Sequence, residues 1–371
     1  MRTWNTKLRS MAALVAALVW SSAASASPLL NAFPPLPKVV PMMPPTVLHS
    51  DTQGEIRFKS SSPYDLDVLL SQSNVAEASM GMGRLSLPAK ASEAHPVPAV
   101  VILPGGAGAI PGRENETAKM LTDNGIAVFV LDNLKPRGIS EGMPDELKIM
   151  GVSEFDAVAD AYAALRTLNK HLAIDPQRIG LLGFSKGGVA ARMSLDERIY
   201  EKLAPDVTAF ALHVDFFGPC YAKMQIRHTT GAPLVSFRAE REEGSHYLAT
   251  CAAEEALLRE AGSAVSSVVY SKAEHGVKAE QLAGAKTIAS SKVQECMIAF
   301  DDKDIPTFEG KALIPSDAKT DRQTRYLIRS QNSKALDECV KVGYVSGRSE
   351  TARKLANRQL LQFLKLNFRL S

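Results

Sequence analysis

The chain has 371 residues, of which 45% are hydrophobic and 22% are charged. These fractions are ordinary for a globular protein, and they exclude an intrinsically disordered chain, a collagen-like repeat and a coiled coil. The formal charge of +3 comes from Arg2, Lys7 and Arg9, because removing three of the 43 cations leaves 40 against 40 anions. A neutral remainder gives no electrostatic reason to expect a nucleic-acid partner.

The first 26 residues are predicted to be a secretory signal peptide. Three cations precede the apolar run 11–20, and small residues follow up to Ala26, after which we place the cleavage site. A membrane anchor is the alternative, but this run is too short to cross a bilayer, which needs about 20 residues. We therefore expect an exported protein, periplasmic or secreted, with no membrane span in the mature chain.

Export would place the four cysteines in an oxidising compartment, where an even number favours disulfides. They are Cys220, Cys251, Cys296 and Cys339, and none has the close spacing of a zinc or thiol-redox motif. Three pairings are possible. Nearness in sequence favours Cys220 with Cys251 and Cys296 with Cys339.

Residues 27–50 are rich in proline and predict an extended arm or linker on the surface. Residues 51–371 are predicted to form one domain of alternating strands and helices, the pattern of a mostly parallel sheet covered on both faces. The predicted strands are 55–59, 83–87, 99–103, 126–131, 178–183, 207–214, 233–237 and 264–270. The predicted helices are 114–124, a long one after Ser153, 252–261 and 351–368. Residues 280–349 are polar and lack a clear period, so we interpret them as an insertion held by a disulfide.

The segment Gly183-Phe184-Ser185-Lys186-Gly187-Gly188 lies where a predicted buried strand meets a helix. In this context G-x-S-x-G predicts a nucleophile elbow, in which a serine is held on a sharp turn with close neighbours and its flanking positions lack side chains. The hydroxyl would lie at a helix N-terminus, whose dipole favours the negative charge of acyl transfer. The alternative is a glycine-rich turn with no catalytic role.

The base for Ser185 is sought among the four histidines that follow it. In this type of site the acid comes next along the chain and the histidine last. His275 directly follows the last predicted strand, where it can reach Ser185. His213 lies within a strand and is interpreted as a core residue, whereas His228 precedes the acid loop and His246 lies in it.

The acid is expected in the loop after strand 233–237, which reads Ala-Glu-Arg-Glu-Glu-Gly over residues 239–244. This loop has no aspartate, but glutamate can orient the histidine in the same way. We favour Glu242 over Glu243. The alternative is that both are solvated loop charges.

The oxyanion hole requires two backbone donors, for which we select the amides of Lys186 and Gly106. Gly106 lies in the loop after strand 99–103, where glycines allow a close approach to substrate. Arg137 or Lys135 is a candidate contact for an anionic substrate. Arg137 could equally brace its own loop.

Together these residues resemble the dienelactone hydrolase family of α/β-hydrolases. The resemblance covers residues 83–275 and the C-terminal helix, and it is carried by residues 103–106, 132–138, 175–180, 183–188, 218–220, Cys251 and 270–276. It implies the α/β-hydrolase fold, and exported relatives with similar cysteines support the Cys220–Cys251 bridge. The chain departs from the family in having Ser185 instead of a cysteine, Pro104 where many relatives have histidine, and Glu242 instead of aspartate.

The resemblance and the residues lead to one expected function. We expect a serine hydrolase that cleaves a small-molecule ester or lactone through an acyl-enzyme, with no metal or organic cofactor and with the insertion as a lid or wall of the pocket. A non-catalytic α/β-hydrolase-like binding protein is the alternative, favoured by the missing aspartate and the altered oxyanion loop. A prolyl-oligopeptidase-type peptidase is a weaker alternative, because the chain is too short to include the propeller domain of that class.

Overall fold

The fold is given by a computed structural model, which describes residues 34–240, 244–275, 286–294, 297–335, 340–346 and 349–370. The predicted signal peptide, the start of the arm, Glu242, Glu243, Cys296 and Cys339 lie outside these residues. In the part of the chain that is described, no helix is both long enough and apolar enough to cross a membrane.

The centre of the fold is an eight-stranded sheet with strand order β1-β2-β4-β3-β5-β6-β8-β9. Its strands are β1 (Gly54–Ser62), β2 (Glu77–Ser86), β3 (Val97–Leu103), β4 (Ala127–Leu131), β5 (Ile174–Phe184), β6 (His213–Phe216), β8 (Leu234–Ala239) and β9 (Val265–Tyr270). β2 is antiparallel to both of its neighbours, and the other pairs are parallel. The predicted mostly parallel sheet is therefore confirmed.

Helices cover both faces of this sheet. The α-helices of the described residues are α1 (Leu66–Leu70), α2 (Glu116–Asp123), α3 (Asp145–Gly151), α4 (Glu154–Leu168), α5 (Lys186–Met193), α6 (Glu197–Leu203), α7 (Gly244–Glu260), α8 (Arg322–Ala335) and α9 (Glu350–Phe368). Helices α4 and α5 pack on one face, whereas α2 and α9 pack on the other. Ser153 begins α4 through a capping box with Asp156, and the apolar stripe of α9 is buried as predicted.

The predicted strand 207–214 is wrong in its bounds, because β6 contains only His213–Phe216. The preceding residues form a loop in which Phe210 and Leu212 are buried. A short apolar run indicates burial but does not distinguish a strand from a buried loop. Helix α7 likewise begins eight residues before its predicted start at 252.

The insertion contains regular structure that the sequence pattern does not predict. Strands β10 (Lys286–Gln294) and β14 (Val340–Ser346) pair with each other, and β11 (Ile298–Phe300) extends β7 (Ala222–Lys223) in a small second sheet with β12 (Pro306–Phe308) and β13 (Lys311–Ala312). Helix α8 packs on the body through ion pairs of Arg325 with Asp67 and of Arg329 with Glu154. Arg325 is buried in its pair, whereas Arg329 is partly exposed, and Tyr326 of the same helix packs against Tyr64 and Leu147.

The described part of the Pro-rich arm lies along the surface of the fold. The amide of Val40 donates to the Pro136 carbonyl at 3.0 Å, and the Tyr326 hydroxyl of α8 donates to the Pro34 carbonyl at 2.9 Å. These hydrogen bonds attach the arm to the body.

His213 is a buried core histidine, as its place in a strand predicted. Its Nδ1 lies 2.9 Å from the Ala191 carbonyl oxygen, and its side chain is fully buried. Burial lowers the pKa of His213 to about 4, because the charged imidazolium loses its hydration. The folded protein therefore holds this imidazole neutral at pH values where the unfolded chain protonates it.

We expect His213 to make the protein less stable as the pH falls from 6.5 to 4. In this window the unfolded state binds more protons than the folded state, so the free energy of unfolding decreases by up to about 3 kcal/mol from this group. Urea unfolding from pH 7.5 to 4.5 should show a weaker pH dependence for His213→Asn than for wild type. The difference in free energy of unfolding between the two proteins at pH 7.5 measures the packing lost in the variant. Parallel pH profiles of stability would contradict a lowered pKa for His213.

Candidate active site

Ser185 lies on a sharp turn between β5 and α5. Its backbone angles are φ 52° and ψ −117°, a region that residues with a Cβ seldom occupy. Its amide donates to the Phe216 carbonyl of the neighbouring strand at 2.7 Å, which holds the turn in place. The side chain is half-buried at the carboxyl edge of the sheet.

The glycines around Ser185 allow backbone segments to approach more closely than side chains would permit. A Cβ on Gly183 would overlap the Gly187 carbonyl, and a Cβ on Gly187 would lie 2.7 Å from the Pro104 oxygen. A Cβ on Gly188 would overlap an oxygen of Asp215. The elbow therefore requires glycine at these positions for steric reasons.

The structure brings His275 to Ser185 across 90 residues of sequence. Its Nε2 lies 3.1 Å from the serine Oγ, within hydrogen-bonding distance. The histidine follows β9, and Phe217 packs edge-on against its ring at 6.3 Å between centroids. The two side chains meet because β5 and β9 end at the same edge of the parallel sheet.

The predicted acids Glu242 and Glu243 lie outside the described residues. They follow β8, which ends beside β9 at the edge of the sheet where Ser185 lies, and they precede α7 in a connecting loop. Glu240, at the start of this loop, accepts a hydrogen bond from the amide of Lys272 at 2.8 Å. This bond ties the acid loop to the loop that carries His275.

Gly106 and Lys186, the two predicted oxyanion donors, lie beside each other. A Cβ built on Gly106 would be 3.6 Å from the Cδ of Lys186 and 3.0 Å from the Cγ1 of Ile149. The loop turns through a hydrogen bond from the Gly108 amide to the Gly105 carbonyl at 2.9 Å, with Gly108 at φ 93°. Lys186, which follows Ser185, and the loop after β3 are thus in close proximity.

A buried Arg113–Glu114 pair supports this loop from behind, which the sequence did not indicate. The Arg113 guanidinium lies 4.9 Å from the centroid of the Phe184 ring and donates to Glu114 at 2.6 Å. The second carboxylate oxygen of Glu114 accepts the Ile110 amide at 2.8 Å. In the sequence this pair is only an Arg-Glu dipeptide near the start of a helix, and such dipeptides are typical of exposed surface charges.

A second buried network lies beneath the elbow. Asp215 pairs with Arg192 of α5 and with Arg238 of β8, the latter at 2.8 Å. In helix α7, Glu254 pairs with Arg192 at 3.1 Å and Glu255 pairs with Arg238 at 2.9 Å. These charges join four elements around Ser185 that are far apart in sequence.

The disulfide between Cys220 and Cys251 is confirmed and strengthens the same region. It joins the loop after β6 to helix α7 across 31 residues. In the chain-entropy model a loop of this size contributes about 3–4 kcal/mol to stability. Cys296 and Cys339, which are predicted to pair with each other, lie outside the described residues.

The structure contradicts a substrate contact for Arg137. Its side chain is fully buried and donates to Asp160 at 2.7 Å and to the Asn133 carbonyl at 3.0 Å. Burial alone would lower the pKa of Arg137, but the carboxylates of Asp160 and Asp156 outweigh it and raise the pKa. The alternative that Arg137 braces its own loop is therefore correct, and Lys135 is exposed near Glu55.

Comparison with known proteins gives a family match and several similar solved structures. A thermophilic esterase from Thermogutta terrifontis with bound propionate is 18% identical, with 53% of this chain and 80% of the esterase covered and a TM-score of 0.41. A candidate dienelactone hydrolase from Klebsiella pneumoniae is 17% identical, with 61% of this chain and 90% of that protein covered and a TM-score of 0.42. Comparison with curated protein sequences finds no match.

The family match covers the elbow, the oxyanion loop and His275 together. Residues 83–301, more than half of the chain, match the sequence profile of the dienelactone hydrolase family. The chain belongs to the dienelactone hydrolase family and is a hydrolase that acts on ester bonds.

Proposed function

We propose that the protein hydrolyses a small carboxylic ester or lactone by covalent catalysis, with Ser185 as the nucleophile and His275 as the general base. The observation that carries this proposal is the distance of 3.1 Å between the serine Oγ and the histidine Nε2. A hydroxyl in contact with an imidazole can lose its proton as it attacks a carbonyl carbon. The strained elbow keeps that hydroxyl accessible at the edge of the sheet.

The reaction proceeds in two stages. His275 takes the Ser185 proton while Oγ attacks the carbonyl carbon, and the resulting oxyanion accepts hydrogen bonds from the amides of Lys186 and Gly106. The intermediate then collapses, the bond to the leaving oxygen breaks, and His275 protonates that oxygen. Water, deprotonated by His275, attacks the acyl-serine, which releases the carboxylic acid and returns the proton to Ser185. With a lactone, both product groups leave as one hydroxy acid.

Removal of the Ser185 hydroxyl should abolish covalent catalysis. We expect Ser185→Ala to lower kcat/KM for a short aryl ester at least about 10³-fold and to prevent labelling by a fluorophosphonate probe. The exposed Ser73 provides a matched control, because Ser73→Ala should keep wild-type hydrolysis and labelling. Labelling or turnover that survives in folded Ser185→Ala would exclude this serine as the nucleophile.

Glu242 is proposed to hold the His275 imidazole in the orientation that accepts the serine proton. We expect Glu242→Gln to lower kcat at least about 10²-fold, because an amide cannot stabilise the imidazolium that forms in the transition state. Glu243→Gln is the isosteric control in the same loop and should change kcat less than about threefold on this assignment. A larger loss in Glu243→Gln would assign the role to Glu243.

Residues 1–26 are proposed to direct export of the chain. The proposal is supported by the charged and apolar segments of the N-terminus and by the Cys220–Cys251 disulfide, which is typical of an oxidising compartment. N-terminal sequencing of the protein from a bacterial periplasmic fraction should begin at Ser27. Leu14→Arg should block this processing, and a wild-type chain retained in the cytoplasm with its N-terminus intact would contradict export.

A further inference from the structure

We propose that Ile149 is a specificity-determining residue that limits the bulk of the acyl group beside the reacting carbonyl. This inference rests on the proposed function, because it places the substrate carbonyl between Ser185 and the amide of Gly106. It concerns a residue on helix α3, which contains none of the predicted catalytic or oxyanion groups.

Ile149 is a large aliphatic residue that remains 41% exposed at the edge of the site. Its Cγ1 lies 3.0 Å from where a Cβ on Gly106 would be, so its side chain covers one side of the oxyanion loop. A substrate whose carbonyl oxygen is bound at the Gly106 amide must place a neighbouring group against this side chain. The leaving oxygen has to face His275 for protonation, and the acyl group is therefore the part that meets Ile149.

Helix α3 is held rigidly enough for Ile149 to act as a fixed wall. The carbonyls of residues 149–152, at the carboxyl end of this helix, all accept hydrogen bonds from side chains of other elements. Lys186 Nζ donates to the Ile149 carbonyl at 2.6 Å and also to the Val152 carbonyl. The Tyr64 hydroxyl donates to the Met150 carbonyl at 2.6 Å, and Arg322 donates to the Gly151 carbonyl. Carbonyls at a helix end lack partners within the helix, so these three donors stabilise its position.

Lys186 links this wall directly to the nucleophile. Its backbone follows Ser185, and its ammonium group binds the end of α3. Burial lowers the pKa of Lys186 to about 8, and the nearby carboxylate of Glu154 opposes this shift. Glu154 in turn accepts hydrogen bonds from Arg329 of α8 at 2.8 and 3.1 Å.

The insertion helps to hold helix α3 in place through α8. Arg322 contacts α3 itself, and Arg329 binds the carboxylate next to Lys186. The insertion thus acts on the wall indirectly, by holding the helix that carries Ile149.

The experiment compares aryl esters that share one alcohol and differ in acyl bulk. The ratio of kcat/KM for the pivalate to kcat/KM for the acetate should rise about 10-fold in Ile149→Ala and fall below the wild-type value in Ile149→Trp. Leu172→Ala is the matched control, because Leu172 is an exposed aliphatic residue just before β5, at the opposite edge of the sheet from Ser185. The ratio in this control should equal that of wild type.

Lys186→Met tests whether the position of α3 matters. It keeps the backbone amide in the oxyanion hole but removes the donor to α3, so the pivalate-to-acetate ratio should rise as in Ile149→Ala. Equal losses for both esters, with the ratio unchanged, would overturn the role of Lys186 in positioning the wall.

Three further outcomes separate this inference from the proposed function. If fluorophosphonate labels Ser185 in every variant but the acyl ratio does not respond to Ile149, only the inference fails. A ratio that responds to alcohol size in an acetate series, and not to acyl size, also overturns it. If fluorophosphonate does not label Ser185 in the wild-type protein, the proposed function itself is contradicted.

Discussion

The close approach of helix α5 to the ends of β3 and β6 is the constraint on which the site depends. Gly187 lies against the backbone of Leu103 and Pro104, and Gly188 lies against Asp215. This packing forces Ser185 into its unusual backbone conformation and brings the Gly106 loop beside Lys186. Any side chain at Gly187 or Gly188 would separate these segments, so the positions of Ser185 and of the Gly106 loop depend on the same contact.

Buried ion pairs hold the loops around this contact. The loops leave different strands, and apolar packing alone would not determine their relative orientation. Asp215 binds arginines from α5 and β8, Arg137 binds Asp160, and Arg113 with Glu114 supports the oxyanion loop. Removing one partner from such a pair leaves an unpaired buried charge and costs about 3–5 kcal/mol. Arrangements that separate these pairs are therefore strongly disfavoured.

Arginines of the insertion attach it to the body close to Lys186. Helix α8 reaches the end of α3 with Arg322 and the carboxylate of Glu154 with Arg329. Lys186, which directly follows Ser185, also binds the end of α3. A segment that is polar in sequence can thus pack on the body when its charges have partners there.

The sequence by itself determined the features that depend on local pattern. The apolar runs and the G-x-S-x-G segment predicted β3, β5 and the elbow, because burial and steric crowding act on neighbouring residues. The position of His275 after the last strand predicted its proximity to Ser185, since parallel strands end at one edge of the sheet. The bounds of β6, the buried role of Arg137 and the place of α8 and Ile149 were decided only by the tertiary structure. Each depends on a partner distant in sequence, such as Asp160 for Arg137 and Gly106 for Ile149, and local periodicity carries no information about which distant groups meet.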